Sequence, residues 1–193
     1  MLLTLTAGID FSVYAWDNEG KYGDWSYRDH FTLKYDENGS SIYDSSAIDI
    51  TGYTGTEENL VIPSTINGYP VKGIAEKAFY ENQNLKNVVI PNGVIYIDSN
   101  VFDGCTCLEN VSIPDGVIRI GDFAFSYCHS LTKITIPNSV ISIGNNILYR
   151  TPLHDYENYY EDYWDNGLFY VDNFLLDVED NVSICCLLYT SDA

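Results

Sequence analysis

Ile-Pro-Asn-Gly-Val at residues 90–94 returns as Ile-Pro-Asp-Gly-Val at residues 113–117 and again as Ile-Pro-Asn-Ser-Val at residues 136–140. The prolines of these three copies are 23 residues apart (114 − 91 and 137 − 114). An earlier copy, Ile-Pro-Ser-Thr-Ile at residues 62–66, lies 28 residues before the next and carries five extra residues around residues 67–70. A fixed short period indicates units that bury their apolar side only by stacking on one another.

Each unit has the same internal order. Residues 108–113 form a short β-branched run that ends at a proline, which indicates a strand, because proline has no N–H for the ladder. Residues 117–120 indicate a second extended run, and we expect residues 123–125 to make one α- or 3₁₀-helical turn. The period lies in the leucine-rich-repeat range of about 20 to 29 residues. The sequence therefore predicts a leucine-rich-repeat solenoid, predominantly β with short helical turns.

The units resemble the BspA-like leucine-rich repeats of bacterial surface proteins. The resemblance is carried by Ile-Pro-Asp-Gly-Val-Ile-Arg-Ile-Gly-Asp-Phe-Ala-Phe-Ser-Tyr-Cys-His-Ser-Leu at residues 113–131, with an approach to the first repeat at residues 50–55, 60–64 and 68–71. It implies a bacterial cell-surface or secreted protein that adheres to host proteins or to other cells. A short solenoid usually serves as a continuous binding surface, so we also expect no catalytic activity.

We divide the chain into an N-terminal hairpin cap region (residues 1–59), about four repeats (60–153), a C-terminal cap (154–183) and a tail (184–193). β-Hairpin caps are expected at both ends, because an uncovered terminal repeat would expose its core and a sheet edge.

The N-terminal cap has two strand-like segments. Residues 11–16 and 31–35 alternate like strands, and turn residues follow each segment, at residues 17–20 and 36–39. We expect residues 47–50 to pair back across the second segment.

The C-terminal region joins an acidic aromatic segment to a predicted hairpin. Residues 154–165 contain no Lys or Arg, and residues 167–176 predict a hairpin around Asp172 and Asn173. Two interpretations remain open: the rings cover the last coil, or they form a surface that meets protein or sugar. The candidate contact residues are Tyr159, Tyr163 and Trp164.

Composition limits the classes of partner. The formal net charge is −19, from 28 acidic and 9 basic residues, which argues against binding to nucleic acid or to anionic membranes. No apolar run is long enough to span a bilayer, so no membrane insertion is expected. The sequence has no nucleotide-binding glycine loop and no hydrolase or zinc-protease motif, and we expect no catalytic residue, cofactor or metal.

Cys105 and Cys128 occupy the same position in successive repeats. A column of small buried thiols is the favoured interpretation, because free cysteine packs as a small apolar residue. A bridge stays open as the alternative, since neighbouring rungs lie about 4.8 Å apart.

Two outward columns are candidates for partner binding. The first consists of strand residues on one sheet face, because alternate residues point away from the core: Lys86, Glu109, Ser112, Lys133 and Thr135. The second consists of Ile95, Ile118 and Ile141. These isoleucines either stack along a ladder, which we favour, or form a partly exposed apolar stripe for a partner.

The sequence thus predicts a monomeric protein-interaction or adhesion module whose partners are extracellular or host proteins. The alternatives are a carbohydrate-binding module of a larger secreted enzyme, with glycans as partners, and a passive spacer. The first seven residues lack the basic start of a secretory signal, and residues 186–193 resemble a sequencing adapter translated in frame. We therefore expect a truncated start and a foreign tail.

Overall fold

The computed structural model describes residues 19–35, 41–154, 164–165, 168–171 and 174–178. Their regular structure consists of strands: β1 (Glu19–Tyr22), β2 (Trp25–Tyr35), β3 (Ser41–Tyr53), β4 (Asn59–Val61), β5 (Thr65–Ile66), β6 (Tyr69–Ile74), β7 (Asn87–Val89), β8 (Tyr96–Ile97), β9 (Asn110–Ser112), β10 (Arg119–Ile120), β11 (Ser142–Ile143), β12 (Trp164–Asp165), β13 (Leu168–Val171) and β14 (Phe174–Val178).

Two parallel sheets follow the repeat. β6, β8, β10 and β11 pair in parallel, and each contributes one rung to the larger sheet. β4, β7 and β9 form a second parallel sheet in which Leu60, Val88 and Val111 are in register. The 23-residue period places equivalent residues on successive rungs, so the predicted β-solenoid of stacked units is confirmed.

The interior is a continuous apolar core. The phenylalanine rings of successive coils stack, with centroids 5.1 Å apart for Phe79 and Phe102 and 5.5 Å apart for Phe102 and Phe125. Ile97 and Ile120 point into the same core from the larger sheet, and both are fully buried. Each unit therefore buries its apolar side against its neighbours, as the period requires.

The predicted helical turns are wrong: the described residues contain no helix. In the return segment, alternate amides donate to the next coil, from Phe79 N to Val101 O at 3.0 Å and from Phe102 N to Ala124 O at 2.8 Å. Left-handed residues recur four apart, as at Phe123 (φ 55°) and Tyr127 (φ 55°). A helix cannot continue through such residues, so the return is a ladder between coils.

Two local departures from the repeat are visible. The extra residues of the first unit form an antiparallel hairpin of β5 and β6 around Asn67 (φ 50°) and Gly68 (φ 84°), a sequence that favours a two-residue turn. The strand expected in the third full unit does not form, since residues 133–135 lie outside any strand. The second parallel sheet therefore ends at β9.

The N-terminal hairpin covers the first coil. β2 and β3 pair antiparallel, with His30 opposite Ala47, and β3 pairs in parallel with β6. Residues 47–50 thus pair mainly with residues 27–30, further back along β2 than expected. The predicted strand at 11–16 lies outside the described residues. Residues 19–20, predicted to lie in a turn, belong to β1, and the turn comes at Gly23 (φ 59°).

A separate three-stranded sheet contains the predicted C-terminal hairpin. β13 and β14 pair antiparallel with Val171 opposite Phe174, and β12 pairs with β13. The strands flank residues 172–173, as expected. No helix in the described parts of the chain is long and apolar enough to cross a membrane.

Candidate interaction surfaces

The first predicted column lies on the outer face of the β4–β7–β9 sheet and its continuation. Glu109, Ser112, Lys133 and Thr135 are exposed, whereas Lys86 is half-buried. The Lys86 ammonium is 2.9 Å from the Glu58 carboxylate, and this hydrogen bond raises the pKa of Lys86 above its ordinary value.

An asparagine ladder crosses the same face. Asn87 Nδ2 donates to Asn59 Oδ1 at 2.6 Å, and Asn110 Nδ2 donates to Asn87 Oδ1 at 2.8 Å. The amide groups satisfy one another from rung to rung. The ladder is polar and internally paired, and Val61 and Val89, which are in register and exposed, form an apolar pair beside it.

The second predicted column, which we call the isoleucine column, consists of Ile95, Ile118 and Ile141. The exposed fraction is 42% for Ile118 and 72% for Ile141, and Ile95 is half-buried. Ile118 N donates to Ile95 O at 2.8 Å, and Ile141 N donates to Ile118 O at 3.0 Å. The stacking and the exposure occur together: the residues form a ladder and leave an apolar stripe on the surface.

A line of residues in register, which we call the cross-sheet row, crosses six strands of the larger sheet beside this column. Its members are Arg28, Asp49, Gly73, Tyr96, Arg119 and Ser142. The Arg119 guanidinium lies over the Tyr96 ring, with Cζ 5.3 Å from the ring centroid. One Arg119 nitrogen lies 3.4 Å from Asp98 Oδ1.

A polar cluster at the hairpin end of this row was missed from the sequence. The buried Asp49 carboxylate accepts a hydrogen bond from the Tyr96 hydroxyl and lies 2.8 Å from His30 Nδ1 and 3.7 Å from Arg28 Nε. A Cβ at Gly73 would overlap the Tyr96 ring and the Asp49 carboxylate, so glycine is what lets the ring reach across the strand. We call this group the hairpin junction.

The hairpin junction disfavours ionisation of the Tyr96 phenol. Burial, followed by the Asp49 carboxylate, raises the pKa of Tyr96 above its ordinary value, because both disfavour the phenolate. No motif signals the cluster, because its members come from three strands and meet only through their register.

The return edge of the last two coils carries an aromatic cluster. The ring centroids of Tyr127 and Tyr149 are 5.6 Å apart, and His129 and His154 lie 6.3 Å from Tyr127 and 6.0 Å from Tyr149 respectively. Arg150 lies over Tyr149 at 5.5 Å. Within the described part of the chain, no group of three or more His, Cys, Asp or Glu side chains could hold a metal ion.

Cys105 and Cys128 are free and buried, in agreement with the favoured interpretation. Each thiol donates to a phenylalanine carbonyl of the preceding coil, Cys105 to Phe79 at 3.1 Å and Cys128 to Phe102 at 3.2 Å. Burial raises the pKa of the Cys105 thiol to about 12 and also raises the pKa of Cys128. A thiolate would lose its hydration there, so both groups stay protonated.

The remaining candidate residues belong to the C-terminal region. Tyr159 and Tyr163 lie outside the described residues, and Trp164 lies in β12.

Comparison with known proteins places these features in a family. The sequence model of the BspA type leucine rich repeat region matches residues 58–161, with six copies, which is more than half of the chain. The chain belongs to this family of leucine-rich-repeat proteins. No match was found among curated protein sequences.

Solved structures of leucine-rich repeat proteins have the same architecture. A leucine-rich repeat protein from Bacteroides capillosus is 26% identical, with a TM-score of 0.55, over 70% of this chain and 94% of that one. A leucine rich cell surface protein from Faecalibacterium prausnitzii is 25% identical, with a TM-score of 0.51, over 70% of this chain and 43% of that one. A leucine-rich repeat protein from Bacteroides ovatus is 28% identical, with a TM-score of 0.51, over 64% of this chain and 32% of that one. The chain thus spans less than half of the latter two.

Proposed function

We propose that this chain is a non-enzymatic protein-interaction module of a bacterial surface or secreted protein, that it mediates adhesion, and that it acts as a monomer. The observation that carries the proposal is the exposed isoleucine column on a rigid set of rungs. Side chains such as Ile141 are costly to leave in water, and a partner that covers them gains about 25 cal/mol per Å² of apolar area. The cell-surface location of the Faecalibacterium relative supports the compartment.

The test is a binding screen with matched variants. The full chain is immobilised and probed with a panel of extracellular matrix proteins at two salt concentrations. Ile118→Asp is compared with Val89→Asp, because the two side chains have nearly equal exposure, 42% and 43%, and lie on different sheets. We expect saturable binding of one protein that Ile118→Asp weakens about tenfold or more, as for a central interface residue, and that Val89→Asp leaves nearly unchanged.

Two other outcomes would contradict this expectation. Loss caused by Val89→Asp alone would transfer the contact to the first column, Lys86, Glu109, Ser112, Lys133 and Thr135. Absence of binding to every protein of the panel would contradict the adhesion proposal and favour a spacer.

Glycan binding is the second candidate, and the aromatic cluster at the return edge supports it. Tyrosine rings can stack on sugar faces, and Tyr127 is exposed beside Tyr149. Binding to a glycan array that is lost on Trp164→Ala, or on Tyr127→Ala, would favour this candidate over protein binding.

A further inference from the structure

We propose that the isoleucine column, together with Lys72, Tyr96 and Arg119, binds an acidic peptide segment of a partner protein that also presents apolar or aromatic side chains. This inference rests on the proposed function and specifies the chemistry of the partner.

The charge of this face differs from that of the whole chain. The chain has a formal net charge of −19 and only 9 basic residues. Two of those residues, Lys72 and Arg119, flank the isoleucine column. Lys72 lies on the rung before Ile95, because Ile95 N donates to Lys72 O at 2.8 Å, and Arg119 follows Ile118 along the chain. Asp49 and Asp98, the carboxylates that contact the cross-sheet row, each already face an arginine. With each of these carboxylates paired to an arginine, Lys72 leaves the face with one net positive charge beside the isoleucines, on a molecule that is strongly acidic overall.

Arg119 is placed to receive a carboxylate. Its side chain is 47% exposed and is held over the Tyr96 ring at 5.3 Å. Asp98 approaches one of its nitrogens at 3.4 Å, while a guanidinium has five N–H donors and can bind a carboxylate with two of them. Stacking on Tyr96 restricts the rotamers of Arg119, so less side-chain entropy is lost when a partner binds.

The apolar half of the face supplies the area. Ile141 is the most exposed large apolar side chain of the described residues, and Ile118 lies one rung away. Backbone hydrogen bonds fix both residues, so the face needs no rearrangement to bind. A purely acidic segment would leave these isoleucines in water, so a partner that presents both kinds of side chain fits better.

The net charge of the whole molecule opposes the binding of an acidic partner. A chain with net charge −19 repels polyanions, and without a local cationic site it should not bind an acidic polypeptide. The repulsion is screened beyond a Debye length of about 8 Å at physiological salt, while contacts at the face act at shorter range.

The probe is a random copolymer of glutamate and tyrosine, with polyglutamate as the comparison polymer, and binding to the full chain is measured at physiological salt. We expect the copolymer to bind more tightly than polyglutamate. Arg119→Glu should weaken copolymer binding about fivefold or more, and Arg119→Gln by less. Arg150→Glu is the matched control: it makes the same change of charge at an arginine that also lies over a tyrosine ring, at 5.5 Å. It should have little effect.

Several results would overturn the inference. They are absence of copolymer binding, equal loss from Arg150→Glu, and binding that Ile141→Ser leaves unchanged. A matrix protein that loses affinity on Ile118→Asp but is indifferent to Arg119→Glu would leave the proposed function standing and overturn the acidic partner. Circular dichroism of each variant checks that the fold is retained.

Discussion

The interior of the coils and the hairpin junction are both buried, but different interactions hold them. In the coils, Phe79, Phe102 and Phe125 stack, and buried thiols donate to the backbone carbonyls of Phe79 and Phe102. At the junction, one carboxylate, Asp49, connects two strands of the hairpin to Tyr96 of the second rung. The coil interior repeats and is stabilised by burial of apolar area, whereas the junction occurs once and depends on complete pairing of polar groups.

Because of this difference, we expect the two regions to respond differently to substitution. An interior ring is packed on both sides by its equivalents on neighbouring rungs, so its loss leaves a cavity inside the stack. The junction has a single carboxylate with three partners, so the loss of Asp49 leaves all three without it at once.

The largest effect is expected in the interior. Phe102→Ala removes the middle ring of the stack, which is fully buried, and should lower the free energy of unfolding by about 3–5 kcal/mol through lost burial and a cavity. Urea unfolding followed by circular dichroism measures it. Phe123→Ala, at an exposed ring of the same return segment, is the control and should cost less than about 1 kcal/mol. Equal losses for the two variants would contradict the stacked core.

A smaller effect is expected at the junction. Asp49→Ala leaves the Tyr96 hydroxyl and the His30 ring without their acceptor, and should cost about 2 kcal/mol, because both groups reach water only in part. The same urea titration, followed by fluorescence in a Trp16→Phe, Trp164→Phe background so that the signal comes from Trp25, reports on the hairpin, because Trp25 packs 6.2 Å from Phe79. Asp98→Ala, which removes an exposed pair with Arg119, should cost under about 1 kcal/mol. A loss at Asp49 no larger than at Asp98 would mean that the junction does not hold the hairpin.

Alkaline pH should lower the stability contributed by the two regions over different pH ranges. The folded-state pKa of Cys105 is raised from 9.0 to about 12, and a group with a raised pKa loses its contribution to stability as the unfolded chain deprotonates. Stability should therefore fall from about pH 9, by up to about 1.4 kcal/mol per pH unit for each buried thiol. Tyr96, with an ordinary pKa of 10.0, adds to the fall only above about pH 10.

Urea midpoints in reducing buffer at stepwise pH measure this dependence. The double variant Cys105→Ala with Cys128→Ala should flatten the curve between pH 9 and 10, and Tyr96→Phe should flatten it only above pH 10. A curve that neither set of changes alters would show that these groups are not buried as described.

Much of the coil could be predicted because the sequence repeats. The prolines at 23-residue spacing and the apolar positions around Val111 and Ile120 fix which residues stack, since each rung repeats the environment of the last. The return segment was mispredicted as helical, because Phe-Ala-Phe at 123–125 carries no sign of the left-handed backbone at Phe123 and Tyr127. There the hydrogen bonds to the next coil decide the conformation, and local propensity does not include them.

The repeated pattern predicts the family, the period, the buried faces and the position of the isoleucine column, because each of these follows from residues that recur on successive rungs. The hairpin junction and the hairpin half of the cross-sheet row emerge only in the folded chain, whereas Tyr96, Arg119 and Ser142 already stand 23 residues apart in the sequence. Arg28, Asp49, Tyr96 and Arg119 are brought into one line by strand register across antiparallel and parallel pairs. A one-residue shift in the pairing of β2 with β3 or of β3 with β6 would place Arg28 or Asp49 on the opposite face, and the repeat does not set those two registers.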